Sequence, residues 1–490
     1  MLQEWLKRCY RRLPADQQSL RGFGRALFLP IHTHLLVLAF LLFWYLQRQY
    51  VASFHHVVLS GALISGIFTA TRILLLARLG NLHKAALVAS LLCVLVLFFN
   101  DLRGALAESF QALHIPLQSR LRYDLVLFGL FFGTAITWVV RTRRSLVQVT
   151  QAVEVFSLVL VCLVGIQILD FTPLAPAKSP VSSLESLNDL PTSTKPPRDI
   201  YLILVDSRTS SSALKRYWNY DDTGFTSELQ RLGFQCPQNA TSEYFTTPHC
   251  ISTLLNMETP RVPTNLQPKG IVSYLARSIR DSRVAGFLDH QGYEIVNLSL
   301  FDLLDQPRFY AFFEKGSYFS IFASTLPGVL WRDYLNHAYL KGANEKILSE
   351  LARLPTRFAG RPRFVYAHLM MPHDPYLYDS HGQTKPMALV LSNKMDSHAY
   401  LEQLIYTDQL ILKTVRSILS QSKTPPIILV RGDHGFRHLP PPDRDAEERE
   451  AFFAAYFPDN RSLDWPANVS HAMVFRDILN RYFGTSIPLE

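Results

Sequence analysis

Charge is scarce in this sequence: 18% of its 490 residues are Asp, Glu, Lys or Arg, 48% are hydrophobic, and the mean hydropathy is +0.08. That balance excludes an ordinary soluble enzyme, where about a quarter of residues are charged, yet it is too polar for a pure membrane bundle. Cysteine is scarce as well, with five in the chain. Cys93 and Cys162 fall in long apolar runs and Cys9 precedes the first, which leaves Cys236 and Cys250. A disulfide framework is therefore excluded; one bond between those two, or none and two small apolar side chains, are the alternatives. No internal repeat is present. No cleavable signal is visible either, since the first apolar segment begins late, is long and lacks a small-residue cleavage site. The formal net charge of +9 owes much to short loops between apolar runs, so it does not argue for a nucleic-acid partner.

What is present is unevenly spread. Residues 1–172 carry nearly all the long apolar runs, and five of these, 27–46, 54–77, 84–100, 122–140 and 150–170, approach the ~20 residues that cross a bilayer as a helix. Arg72, inside the second, is expected near its cytoplasmic end with the head group snorkelling. Lys7, Arg8, Arg11, Arg12, Arg21 and Arg25 precede the first run, Arg78 and Lys84 follow the second, and Arg141, Arg143 and Arg144 follow the fourth. The alternate loops are poorer, with Arg48 in one and Arg103, Arg120 and Arg122 in the other. Basic residues in short loops mark the cytoplasmic side, so the N-terminus is expected inside. Five crossings then place everything after residue 172 outside. The expectation is a multi-pass protein of the inner (plasma) membrane with a periplasmic or extracellular domain.

Residues 173–198 are rich in Pro, Ser and Thr without apolar period and read as a linker. From 199 to 490 the pattern becomes α/β. DIYLILVD, FVYAHLMM (364–371) and PPIILVRGD read as buried strands. SSALKRYWNY, FTSELQRLGF, YLEQLIYTDQLILKTVRSIL (400–419) and HAMVFRDILNRYF (471–483) carry helical spacing. Strands alternating with helices imply a mostly parallel sheet sandwiched by helices.

Three strands end in polar groups: Asp206, His373, and Asp433 with His434. In a parallel sheet such ends share one edge, where ligands bind. Gly432 and Gly435 flank Asp433 and His434 and are read as allowing the sharp turn that lets both reach one metal. Two carboxylates and an imidazole suit zinc, or manganese where oxygen dominates. A strand-end Asp is also a common helix cap, but the three together favour a metal site. Thr246 and Thr247 stand before Pro248 and the helical ISTLLNM. A hydroxyl there meets the positive end of a helix dipole and is a candidate nucleophile; a plain cap with Pro in the first turn is the alternative.

These segments, with HLMMPHDPY, occur in the order and spacing of the alkaline phosphatase/sulfatase superfamily. The chain resembles its membrane-anchored bacterial branch, which includes phosphoethanolamine transferases and lipoteichoic acid synthases. The resemblance implies an N-terminal five-helix transmembrane bundle followed by an alkaline phosphatase-like α/β domain. It implies that Asp206, Asp433, His434 and Thr247 hold a divalent metal, that Thr247 (with Thr246 the alternative) is the nucleophile that becomes phosphorylated, and that His373 contacts the substrate phosphate or the leaving group. Arg208, Arg431 and His438 lie close by as candidate substrate-binding residues, with buried ion pairing as the alternative for the two arginines and a solvated loop position for the histidine.

Sulfatases proper carry a Cys or Ser followed by Pro or Ala at the second place and Arg at the fourth. Cys250 is followed by Ile251, Ser252, Thr253 and Leu254, which disfavours sulfate ester chemistry. Asp206 is followed by Ser207 rather than a second acid, which points to a single metal. The implied function is phosphotransfer on a membrane lipid or envelope glycan substrate through a phospho-threonine. A sulfatase-like hydrolase and a non-catalytic envelope-binding protein are the alternatives.

Overall fold

The computed structural model describes residues 30–46, 54–112, 121–169, 198–263, 266, 268–310, 321–334, 336–357, 360–392, 395–459 and 468–489. They divide into two units, Met1–Ala175 with Glu314–Asn336, and Pro176–Phe313 with His337–Glu490.

The first unit contains α1 (His32–Leu46), α2 (Phe54–Leu79), α3 (Leu82–Leu97), α4 (Phe99–Ala112), α5 (Leu121–Arg141) and α6 (Val147–Leu169). Among the described residues, three helices are long and apolar enough to cross a membrane: Phe54–Leu79, Tyr123–Arg141 and Val147–Leu169. They leave side chains such as Leu63, Phe131, Phe156 and Ile166 exposed, as helices that face lipid rather than water do. The expectation of five crossings is met in part, by three helices or by four if a bent pair is one span, among the described residues. Helix α1 has 15 residues, about 22 Å at 1.5 Å per residue against a hydrocarbon core of about 30 Å; residues 27–29 of the expected span lie outside the described residues. Over the third expected span the chain breaks at Phe98, and α4 departs from α3 at 68°, a bent pair that would make a fourth crossing if taken as one span. The physical reason is sequence: FNDLRGALAESFQA is too polar to continue into hydrocarbon. Arg72 is corrected. It is buried, and its Nη1 donates to the Pro30 carbonyl at 3.0 Å, while the Ile31 N–H donates to Glu154 Oε1 at 2.9 Å. The start of α1 thus has its backbone groups satisfied within the bundle. The expected linker lies outside the described residues except for Arg198.

Glu314–Asn336 was expected in the outer domain but groups with the first unit, through described residues of 321–334. Ile321 joins the cluster of Leu36, Phe40 and Trp44, and Val329 on the helix Leu326–Tyr334 packs with Phe99.

In the second unit a six-stranded sheet is built from β1 (Ile200–Val205), β2 (Phe234–Gln235), β4 (Glu294–Leu298), β5 (Arg363–Leu369), β6 (Ile427–Gly432) and β7 (Phe453–Tyr456), in the order β2-β7-β6-β1-β5-β4. A short parallel pair joins β3 (Asn239–Ala240) to β8 (Asn468–Val469). The strands β4, β5, β1 and β6 run parallel; β7 is antiparallel to β6 and β2 to β7, so the sheet is mixed at one edge. β1, β5 and β6 are buried along their whole length, which is why they read as continuous apolar runs instead of alternating ones.

Candidate metal centre

The register pairs Val205 with Leu369 on one side and with Gly432 on the other, so β5, β1 and β6 end level. The Asp206 N–H donates to the Leu369 carbonyl at 3.0 Å, and the His373 N–H donates to the Asp206 carbonyl at 3.1 Å. The strand ends converge as the sequence implied: ligand atoms of Asp206, Asp433 and His434 all lie within 4.8 Å of one another, and all three residues are buried. Gly432 and Gly435 are needed for a different reason from the one expected. Neither has a positive φ. A Cβ on Gly432 would collide with the Arg208 carbonyl, and one on Gly435 with the carbonyl and carboxylate of Glu447. What they permit is close approach of backbone.

His434 Nδ1 lies 2.7 Å from the Gly435 carbonyl, which assigns its proton to that nitrogen. Its Nε2 lone pair then faces Asp433 Oδ2 at 3.3 Å, Thr247 Oγ at 3.3 Å and Asp206 Oδ1 at 3.8 Å. Burial holds the His434 pKa down to about 4, prevailing over the pull of Asp433, and the charge of Arg437 adds to the lowering; the ring is neutral near pH 7. Asp433 Oδ1 accepts the N–H groups of Ser207 (2.9 Å) and His434 (3.0 Å), whereas Oδ2 is buried with no hydrogen-bond partner among the described residues. An imidazole lone pair and carboxylate oxygens turned toward each other away from water repel unless a cation lies among them. The donor set fits a divalent ion of the zinc or manganese kind.

Asp206 is held on its other side by His368, whose Nε2 lies 3.0 Å from Oδ2; Tyr366 Oη in turn lies 3.0 Å from His368 Nδ1. Burial opposes charge on Asp206, but the imidazoles of His373, His368 and His434 outweigh it and hold the carboxyl well below the usual carboxylate range. His368 was missed in the sequence. The signal was its place on a strand that ends at the site, on the same face as Tyr366.

Thr247 opens α7 (Thr247–Asn256) with Thr246 as the extended cap residue. Thr247 Oγ is turned to His434, while Thr246 Oγ lies 2.7 Å from His249 Nδ1. Cys250, one turn along α7, is fully buried between Ser242 Oγ (3.2 Å) and the Tyr244 carbonyl (3.3 Å). Burial above all, then the charge of Asp433, pushes its thiol well above the ordinary value. Cys236 and Cys250 are both free, so the disulfide alternative is not realised.

Two of the substrate-binding expectations are corrected. After Asp206 the chain turns through Ser207 at φ 64°, and Arg208 is buried in the core, bidentate to Asp408 (3.0 and 2.9 Å) and bonded to Asp222 (2.8 Å), with its guanidinium over Phe452. Arg431 is fully buried and donates to the carbonyls of Thr241 (2.8 Å) and Val469 (3.1 Å) beside His471 Nδ1 (3.1 Å). Neither guanidinium reaches the metal cluster. His438 packs edge-on against Phe436 on the loop that follows Gly435.

His373 is brought in, its ring T-shaped to that of His434 at 6.5 Å between centroids. Its Nδ1 lies 2.6 Å from the Asp374 carbonyl, and its Nε2 lies 2.9 Å from Arg437 Nη2. A guanidinium only donates, so Nε2 is the acceptor and the resting ring is neutral. Burial opposes protonation of His373, yet Asp374 and Asp206 outweigh it and raise its pKa. These two observations pull apart; the hydrogen bond decides the resting tautomer, and the carboxylates make the ring easy to protonate. Arg437 also was missed, although a cation just past a DHG turn is a readable signal.

A family described as sulfatase matches residues 200–468. No curated protein matches the chain. Solved structures of similar fold include the C-terminal periplasmic domain of EcEptC from Escherichia coli in complex with Zn (12% identity, 60% of this chain and 86% of that one, TM-score 0.38). They also include the integral membrane lipooligosaccharide phosphoethanolamine transferase A from Neisseria meningitidis (12%, 91% and 95%, TM-score 0.38). A third is the C-terminal periplasmic domain of phosphoethanolamine transferase EptC from Campylobacter jejuni (13%, 60% and 92%, TM-score 0.35).

Proposed function

Because the chain belongs to the sulfatase family, we propose that it is a membrane-anchored, metal-dependent phosphotransferase of that family acting on phosphodiesters of lipid head groups in the cell envelope. The observation that carries this reading is Thr247 Oγ, buried at the start of α7 and 3.3 Å from His434 Nε2 within the carboxylate–imidazole cluster. A threonine hydroxyl can be esterified by phosphate but cannot become the oxidised side chain of a sulfatase, and Cys250 is buried against Ser242 and the Tyr244 carbonyl.

In the reaction we assign, Thr247 Oγ gives up its proton and forms a bond to phosphorus, the bond from phosphorus to the leaving alcohol breaks, and that oxygen takes a proton. His373, with a pKa raised by neighbouring carboxylates despite burial, is the group we assign to moving this proton. An acceptor hydroxyl, or water, then forms a bond to the phosphorus of phospho-Thr247, the bond from phosphorus to Oγ breaks, and the acceptor's proton passes to Oγ. A divalent ion held by Asp206, Asp433, His434 and Thr247, zinc first and manganese second, would polarise the hydroxyl and offset charge on phosphoryl oxygens. The positive end of α7 favours the same anion. Helices long and apolar enough to cross a membrane support a lipid substrate, which diffuses in the same two dimensions as an anchored enzyme.

The test uses the full chain in detergent, loaded with zinc or manganese and incubated with phospholipid. Peptide mass spectrometry is expected to find the transferred group on Thr247, and Asp433→Ala to abolish both the label and bound metal. Full activity in Thr247→Ala would overturn the assignment.

A further inference from the structure

The loop after His434 is built to carry one side chain. Glu447, fully buried, accepts the N–H groups of Phe436 (2.7 Å) and Arg437 (3.1 Å), and the missing Cβ of Gly435 lets it close in. On the other side the ring of Phe436 packs on Tyr400 at 4.7 Å and Trp218 at 5.6 Å between centroids. So fixed, Arg437 adopts φ 68°, a left-handed conformation uncommon for a bulky residue and one that persists only where its surroundings over-determine it. The guanidinium spans two walls of the site. Its Nη1 donates to the carbonyl of Phe245, two residues before Thr247, at 3.2 Å, and its Nη2 donates to His373 Nε2 at 2.9 Å.

Both partners are neutral. Arg208 is closed by two carboxylates, Arg216 meets Glu450 and Arg481 meets Asp477, whereas Arg437 has no carboxylate partner among the described residues. A guanidinium resting on a carbonyl and an imidazole keeps its full charge and exchanges those weaker acceptors for an anion that offers two oxygens at once.

We propose that Arg437 is the substrate-binding residue that grips two non-bridging oxygens of the phosphoryl group between Thr247 and His373, the role the sequence had given to Arg208 and Arg431. This rests on the phosphotransfer reading for the identity of the anion, and Arg437 forms no covalent bond in it.

The test is calorimetric titration of inorganic phosphate into the metal-loaded full chain in detergent, with metal content measured on the same samples. Arg437→Met is expected to keep its metal and weaken phosphate binding at least about tenfold, with Arg437→Lys between it and the parent, because a point charge replaces a fork. Phosphate bound by Arg437→Met as tightly as by the parent would overturn the proposal. So would loss of metal together with phosphate, since that assigns the residue to holding the loop. Thr247→Ala separates the two readings: it is expected to bind phosphate while failing to turn over, and turnover by that variant sinks the nucleophile without touching the result at Arg437.

Discussion

His368 Nε2 lies 3.0 Å from Asp206 Oδ2 with both side chains fully buried, and Tyr366 Oη completes the chain behind it. A buried partner of this kind fixes which carboxylate oxygen is turned to an ion and in what direction. His368→Ala is expected to lower metal affinity about 10- to 100-fold, read by competition against a chelator of known strength. Tyr366→Phe removes the outer link and should cost less. Equal affinity in His368→Ala and the parent would detach this histidine from the site.

Gly432 admits no side chain, because a Cβ would meet the backbone carbonyl of Arg208. A carbonyl cannot swing aside as the end of a side chain can. Gly432→Ala is therefore expected to destabilise the domain by about 1–3 kcal/mol and to displace Asp433, so that metal binding weakens as well. Denaturant unfolding with and without metal reads both effects.

Arg208 gives the opposite kind of expectation from a substrate contact. Removing it strands Asp408 and Asp222 in the core, so Arg208→Ala should lose about 3–5 kcal/mol of stability. Normal unfolding with a raised KM would return Arg208 to the substrate side.

Glu243 accepts the N–H groups of His471 and Ala472 at the start of the helix His471–Phe483. Burial opposes its charge, but His471 and these backbone bonds win and take its pKa from 4.5 down to about 2. The unfolded chain then binds the extra proton between these values. The stabilisation is complete above pH 4.5 and disappears as pH falls through about 2, on the order of 2 kcal/mol for a side chain 22% exposed. Urea unfolding at pH 5 and pH 3 should show a steep loss in the parent and a shallower one in Glu243→Gln; identical slopes would refute the linkage.

The strands β1, β5 and β6 could be read because they are buried on both faces, and the positions of Asp206, Asp433 and His434 followed from their ends. β4, reading EIVNL, could not, since it is a short edge strand only partly buried, and the two-residue β2 pairs antiparallel with β7, far along the chain. The carboxylate–imidazole cluster was legible as residue types at strand ends. The fates of the arginines were not: Arg208, Arg431 and Arg437 are alike in the sequence, and only packing decides that Arg208 is buried against carboxylates, Arg431 is buried with Nη2 on two carbonyls, and Arg437 faces Phe245 and His373. Apolar length alone did not reveal the bend at Phe98, because it does not register whether a helix stays straight.

Glu314–Asn336 lies between two stretches of the second unit yet groups with the first, where Ile321 and Val329 are buried. A proteolytic cut in residues 173–198 severs the leading connection, but the downstream fragment still carries the helix Leu326–Tyr334, lodged among Phe99 and its neighbours. Such a nicked protein is expected to migrate as one species in detergent and part only on denaturation. Freeing the downstream fragment from the first unit would require excising that segment too, so apolar packing of Ile321 and Val329 acts beside the covalent link.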